Sequence, residues 1–142
     1  MTISTTVYLA GKMTGLTKEE MMGWRIKAKE KFKAAGIEVI DPTNAIFDDD
    51  DERGIVTHNK YCIDRADIVL AEFDWPDKPV SIGTIGEVIY ASEKKKPIIA
   101  WGRDSKIIWH PWISESITIY FDDLINAIIY IADNYILGSD RS

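Results

Sequence analysis

The stretch Ser81-Ile82-Gly83-Thr84-Ile85-Gly86-Glu87 places one carboxylate just beyond two glycines, where an extended segment gives way to a helix. Glycines at such a turn let backbone approach a ligand closely, and ligands of open α/β sheets bind outside the carboxyl ends of the strands. A carboxylate held there can serve as a nucleophile toward an electrophilic carbon or as an acid–base group. The same spacing has a structural reading. Thr84-x-x-Glu87 is the capping-box pattern, in which the glutamate reaches back to an unpaired backbone N–H.

Other chemistry is excluded by spacing. The run Asp48-Asp49-Asp50-Asp51-Glu52 fails as a calcium loop on spacing or ligand type from either of its first two residues, so it reads as a solvated loop with no metal role. The loop Gly11-Lys12-Met13-Thr14-Gly15 lacks the third glycine of a dinucleotide fingerprint and the Gly-Lys-Ser/Thr of a phosphate-binding Walker loop. NAD and ATP thereby lose most of their support, and no organic cofactor is expected. Nothing supplies an FMN phosphate loop either, which weakens an electron-carrier reading.

The elements that would position Glu87 follow from periodicity. Thr5–Ala10 is enriched in β-branched and aromatic residues and predicts a first strand. Thr17 and Glu20 form a capping box for a helix with apolar Met21, Trp24, Ala28, Phe32 and Ala35, closed by Gly36. Ile37–Ile40 predicts a second strand stopped by Asp41-Pro42. Ile55–Arg65 predicts a short helix presenting His58, Asn59 and Tyr61. Ile68–Ala71 is a continuous apolar run, as a strand covered on both faces should be. A helix from Thr84 ending in Lys94-Lys95-Lys96, a strand over Ile98–Trp101, an irregular stretch over Gly102–Ser116 and a strand over Ile117–Phe121 follow. The last helix, capped by Asp122 or Asp123, carries two apolar stripes: Leu124, Ile128, Ile131 and Tyr135, then Ile125, Ile129, Ala132 and Ile136. Strands alternating with helices predict a flavodoxin-like, doubly wound α/β fold with a five-stranded parallel sheet and helices on both faces.

Composition sets the outer limits. With 142 residues, 46% of them hydrophobic, the chain can bury an ordinary core, and one domain over 1–142 is expected. A formal charge of −6 argues against a nucleic-acid polymer or an anionic membrane as partner. The most apolar stretch, Leu124–Leu137, is interrupted by Asn126, Asp133 and Asn134 and is too short to span a bilayer. Cys62 stands alone, so no internal disulfide can form, and the N-terminus has no signal-peptide pattern. A cytoplasmic protein is the expectation, with the second stripe of the last helix covered by another copy in a homodimer.

Several stretches in order resemble the nucleoside 2-deoxyribosyltransferase family and its deoxynucleoside 5'-monophosphate N-glycosidase relatives. They are Val7-Tyr8-Leu9-Ala10-Gly11, Gly36-x-x-Val39-x-Asp41-Pro42, Ala66-Asp67-Ile68-Val69-Leu70, Gly83-Thr84-x-x-Glu87 and Lys96-Pro97. The resemblance spans about residues 5–101 and is loose beyond Gly102. It implies a small, usually dimeric α/β enzyme that cleaves the N-glycosidic bond of 2'-deoxynucleosides or their 5'-monophosphates. Glu87 matches the family nucleophile, which attacks C1' and forms a covalent deoxyribosyl-enzyme released to another base or to water. Tyr8 matches a tyrosine that holds this carboxylate; from sequence alone it reads equally as a half-buried strand aromatic. The loops after the first and third strands supply substrate-binding candidates Gly11, Lys12, Met13, Asp74, Ser81, Gly83 and Thr84. His110 lies near where the family inserts a polar residue from a neighbouring subunit, and reads otherwise as a surface-loop histidine.

Two positions depart from the family. Ser81 stands where base-transferring members carry an aspartate that takes the sugar's 5'-hydroxyl; a hydroxyl with helix N-terminal N–H groups suits a 5'-phosphate instead. The first-loop arginine of some hydrolases is here Thr14, leaving Lys12 as the nearby cation. Asn59 stands where the family commonly has the aspartate that protonates the leaving base, and an amide supplies no proton at neutral pH. Either His58, Asp64 or Asp74 substitutes, or the leaving base needs little protonation, or turnover is slow; the alternative is a catalytically weak nucleotide-binding module. Asp67 reads as a structural residue at the start of a strand.

Overall fold

The computed structural model describes residues 4–48, 50–103 and 105–136; Asp49 of the acidic run and Leu137 at the end of the apolar stretch lie outside them. In chain order the elements are β1 (Thr6–Ala10), α1 (Lys18–Ala34), β2 (Glu38–Ile40), α2 (Glu52–Arg65), β3 (Ile68–Glu72), α3 (Ile82–Glu93), β4 (Ile98–Trp101), α4 (Pro111–Ser114), β5 (Ile119–Phe121) and α5 (Leu124–Asn134). The strands form one parallel sheet in the order β2-β1-β3-β4-β5. That is the flavodoxin-like doubly wound order, whose direction reverses between β1 and β3.

Each face of the sheet has its own core. Val7, Leu9, Ile68, Leu70, Ile99 and Trp101 pack against Ala28 and Phe32 of α1 and Ala127, Ile128 and Ile131 of α5. Tyr8, Ala10, Val69, Ala71, Ile98 and Ala100 pack against Cys62 and Ile63 of α2, Val88 and Ala91 of α3 and Ile113 of α4. Strict alternation along β1 thus delivers Tyr8 to the α2–α3 side. The central strand β3 is buried throughout, in keeping with its continuous apolar run.

Capping residues set the helix starts, and two differ from expectation. The Thr17–Glu20 capping box is formed in full, and Gly36 turns the chain after α1 at a φ of 75°. Helix α3 starts at Ile82 instead of Thr84, because Ser81 is its N-cap and accepts from the Thr84 N–H. Glu87 therefore lies in the second turn and caps nothing. Helix α2 starts at Glu52 instead of Ile55, because the Asp51 carboxylate accepts from the Gly54 N–H. One member of the acidic run is thus a cap, while the loop before it stays exposed.

The C-terminal third also differs in detail. Residues 102–116 contain a 3-10 turn over Ile107–Trp109 and the short helix α4, and β5 is three residues long. In α5 Leu124, Ile128 and Ile131 of the first stripe are buried as expected, and Tyr135, the C-cap, is half-buried. Of the second, Ala132 and Ile136 pack against the α1-side core, Ile125 is half-buried and Ile129 alone is strongly exposed, at 48%. The uncovered patch is smaller than the helical pattern implies, because the end of α5 tucks against the core. No helix among the described residues is long and apolar enough to cross a membrane.

Candidate active site

Glu87 is held at both oxygens by neutral donors. The Tyr8 hydroxyl donates to Oε1 at 3.1 Å and the Asn59 amide donates to Oε2 at 3.1 Å. The three residues come from β1, α2 and α3, and α2 packs beside α3 on this face. Each carboxylate oxygen keeps a lone-pair direction beyond the bond it accepts. Tyr8 has no exposed surface, and Glu87 is half-buried. Burial pushes the Glu87 carboxyl up to about 7, more than the Tyr8 and Asn59 bonds and the distant Arg25 charge pull it down. Burial, then the Glu87 charge, drives the Tyr8 hydroxyl upward, so Tyr8 stays a proton donor.

The network continues behind Asn59. Since its amide nitrogen faces Glu87, its Oδ1 must accept, and His58 Nδ1 lies 2.9 Å from it. His58 Nδ1 therefore carries a hydrogen, and in the neutral ring Nε2 is free to accept from Cys62 Sγ at 3.5 Å. Phe47 meets the His58 ring edge to face at 5.3 Å between centroids. Asn59 is thereby held in one orientation.

The first turn of α3 lies next to Glu87. Ser81 Oγ and Thr84 Oγ1 are 2.8 Å apart, and Ser81 Oγ also accepts from the Thr84 N–H at 3.3 Å. Two hydroxyls sharing one hydrogen bond leave one hydroxyl hydrogen for another acceptor. The N–H groups of Ile82 and Gly83 open the helix and have no intrahelical partner. Together they form an anion-favouring helix terminus, at which Gly83 and Ile82 are exposed.

The remaining predicted residues divide. Gly11 sits so close to Trp24 that a Cβ there would lie 2.5 Å from its ring, so the β1–α1 loop admits only glycine. Lys12 is buried, and its ammonium donates to the Pro79 carbonyl, two residues ahead of Ser81. Met13 is exposed at the loop tip. Asp74, expected to contact substrate or donate a proton, instead accepts from the Arg103 backbone N–H, Nε and Nη2. Thr84, expected to bind substrate, is buried and turned to Ser81. Asp64 accepts from the Tyr90 hydroxyl. Of the three stand-ins for the missing acid, only His58 joins the Glu87 network. His110 is exposed and caps α4, accepting from the Trp112 N–H. Asp67 accepts from the Thr6 N–H at 2.8 Å, the structural role expected of it.

Two buried charges beside the site escaped the sequence reading. Arg25 is fully buried and donates to the carbonyls of Leu9 and Gly11 and to Asp41, which also pairs with Lys29. Its signal was its place among Met21, Ala28 and Phe32 on the buried stripe of α1. Glu72 is 6% exposed, and its Oε1 accepts from the Lys12 N–H and the Trp75 indole. Its signal was a carboxylate continuing the apolar run of β3. Burial pushes its carboxyl up. Among the described residues no three His, Cys, Asp or Glu side chains are grouped to hold a metal.

The structure is an α/β domain with a tyrosine-held glutamate at the carboxyl edge of its parallel sheet, and residues 4–104 match the family described as "Nucleoside 2-deoxyribosyltransferase like". The chain belongs to that family. No curated protein matches it by sequence. Among solved structures it is similar to a 2-desoxiribosyltransferase from Leishmania mexicana, with a TM-score of 0.72, 16% identity and coverage of 92% of this chain and 99% of that one. The CMP N-glycosidase BcmB of Clostridium botulinum gives a TM-score of 0.61 at 20% identity, over 92% of this chain and 100% of that one. A CheY-like receiver domain from Methylobacillus flagellatus also overlays, with a TM-score of 0.53 at 13% identity, over 92% and 98%. At these identities the likeness is one of fold, which the last case shows to be shared across functions.

Proposed function

We propose that the chain cleaves the N-glycosidic bond of 2'-deoxynucleosides or their 5'-monophosphates, with Glu87 as nucleophile. The observation that carries this is the Glu87 carboxylate, gripped by Tyr8 and Asn59 beside the open first turn of α3. A Glu87 oxygen attacks C1', the C1'–N bond breaks with its electron pair going to the base, and the base takes up a proton. A second base or water then attacks C1' and releases the carboxylate, so one hard substitution becomes two easier ones. Tyr8 orients the carboxylate and stabilises it again when it leaves. With no carboxylic acid at Asn59, and with His58 reaching only the Asn59 amide oxygen, the base draws its proton from solvent, so leaving bases that need little protonation are favoured.

The 5'-phosphate reading rests on Ser81. A carboxylate there would repel a phosphate dianion, whereas the spare hydroxyl hydrogen and the Ile82 and Gly83 N–H groups attract one. Lys12, fixed on the Pro79 carbonyl, adds positive charge on that side. BcmB is named for a nucleoside 5'-monophosphate, which is in keeping with this preference. A homodimer covering exposed Trp109 and Trp112 would bring His110 beside a neighbouring copy.

The test is kcat/KM for matched deoxynucleosides and 5'-monophosphates, with chromatographic detection of free base. Charge-assisted bonds of about 1.5–3 kcal/mol each give a monophosphate preference of roughly ten-fold to a thousand-fold. Ser81→Asp should reverse it. Equal use of both substrates would remove the phosphate reading, and no free base from any of them would favour the second reading, a nucleotide-binding module made weak by Asn59.

A further inference from the structure

On the α1 side of the same sheet edge lies a cleft of about 280 Å³. Its walls include Trp24 of α1, Trp101 at the end of β4 and Trp75 of the loop after β3. Trp24 and Trp101 meet edge to face at 5.9 Å between ring centroids. The volume lies just below the roughly 300–1,000 Å³ typical of ligand pockets, which suits a single flat ring system.

Two buried polar groups border this cleft with hydrogen-bonding capacity left over. Glu72 accepts both of its bonds at Oε1, and Oε2 accepts none among the described residues. Trp101 is 7% exposed, and its Nε1 is buried without a partner. Glu72 and Trp101 are register partners on β3 and β4, so their side chains leave the sheet side by side on one face. An open acceptor beside a buried donor complements a ligand edge carrying a donor next to an acceptor. Of the cleft's other charges, Lys78 pairs with Glu20 and Arg103 with Asp74, while the Lys12 ammonium rests on the neutral Pro79 carbonyl. Glu72 is the cleft carboxylate held by neutral donors alone, and its open Oε2 disfavours an anion beside it and favours a ring with an amine.

We infer that this cleft binds a free amino-substituted nucleobase of the adenine or cytosine type, flat against the tryptophans. The exocyclic amine donates to Glu72 and the adjacent ring nitrogen accepts from Trp101. No hydrogen bond within the cleft involves Tyr8, Asn59 or Glu87, so the site stands whether or not Glu87 cleaves glycosidic bonds.

The test is titration of the full chain with adenine while the indole N–H signals are followed by ¹⁵N–¹H NMR, with Trp101 assigned through Trp101→Phe. The Trp101 and Trp24 signals should shift saturably. N6,N6-dimethyladenine, which has no amine hydrogens, should bind at least about ten-fold more weakly, as should adenine to Glu72→Gln. Tyr8→Phe should leave the affinity as it is. An unmoved Trp101 signal, equal binding of the dimethyl analogue, or equal losses in Tyr8→Phe and Glu72→Gln would each overturn the site. If Glu72→Gln melts well below the wild type, Trp101→Phe, which removes the donor and shrinks the ring, decides through the Trp24 signal: unchanged affinity overturns the inference.

Discussion

Glu72 and Glu87 sit at the same edge of one sheet, both with carboxyls pushed up by burial, yet they are held in opposite ways. Glu72 gathers a loop N–H and an indole on one oxygen and so ties the β1–α1 loop to the loop after β3. Glu87 spreads its two bonds over two oxygens, from groups on regular elements, and stays half-open beside a helix terminus. A raised pKa therefore does not mark the reactive carboxylate; the rigid grip and the open approach do. Arg25, buried on the α1 side, lowers both carboxyls from a distance and is the charge they share.

Glu87→Gln separates the two glutamates most sharply. Glycosidic cleavage should fall on the order of a thousand-fold or more, because the amide keeps the shape but is a poor nucleophile. Normal turnover in that variant would remove the distinction between the two glutamates. Arg25→Ala leaves Asp41 without its fully buried partner, and denaturant unfolding should report a loss of about 3–5 kcal/mol. A loss under 1 kcal/mol would mean that Lys29 alone satisfies Asp41.

Tyr8→Phe removes one bond from the ionised form of Glu87. A fall in kcat of roughly ten- to a hundred-fold is expected, from loss of a charged hydrogen bond of about 1.5–3 kcal/mol. In the wild type, kcat/KM should rise with pH through about 7 as Glu87 ionises. Since the Tyr8 bond lowers that pKa, the rising limb should move to higher pH in Tyr8→Phe; an unmoved limb would show that another group sets it.

The smallest effect is one of stability. Because burial raises the folded Glu87 pKa above its unfolded value, folding takes up a proton between the two, and stability falls as pH rises through that window to about 7. Glu87→Gln escapes this loss. It should match the wild type near pH 4 and be more stable by about 1–2 kcal/mol at pH 8, after allowing for its new amide facing the Asn59 amide. Scanning calorimetry at both pH values checks the sign, and lower stability of the variant at pH 8 would mean that Glu87 is not strained by burial.

The β-α alternation, the buried run of β3 and the capped helix α1 were legible because each is written in local periodicity. The meeting of Tyr8 with Glu87 across 79 positions came from resemblance, since no local rule pairs them. Boundaries failed where two caps competed: Ser81 and Thr84 each offer an N-cap hydroxyl, and only the one that leaves Glu87 facing Tyr8 is used. The pairing of Asp74 with Arg103 was not legible because the two lie 29 residues apart, on the loops after β3 and β4. Arg25 and Glu72 went unseen because a charge on a buried face is readable only once its partners are known.

Glu87 is proposed to carry the sugar during turnover. Incubating the protein with a slowly released 2'-fluoro nucleoside analogue, then digesting it and sequencing peptides by mass spectrometry, tests this directly. The mass of one fluorosugar on Glu87, absent in Glu87→Gln, is the predicted result. A protein that turns over natural substrate yet carries no adduct, or carries it on another residue, would contradict the account.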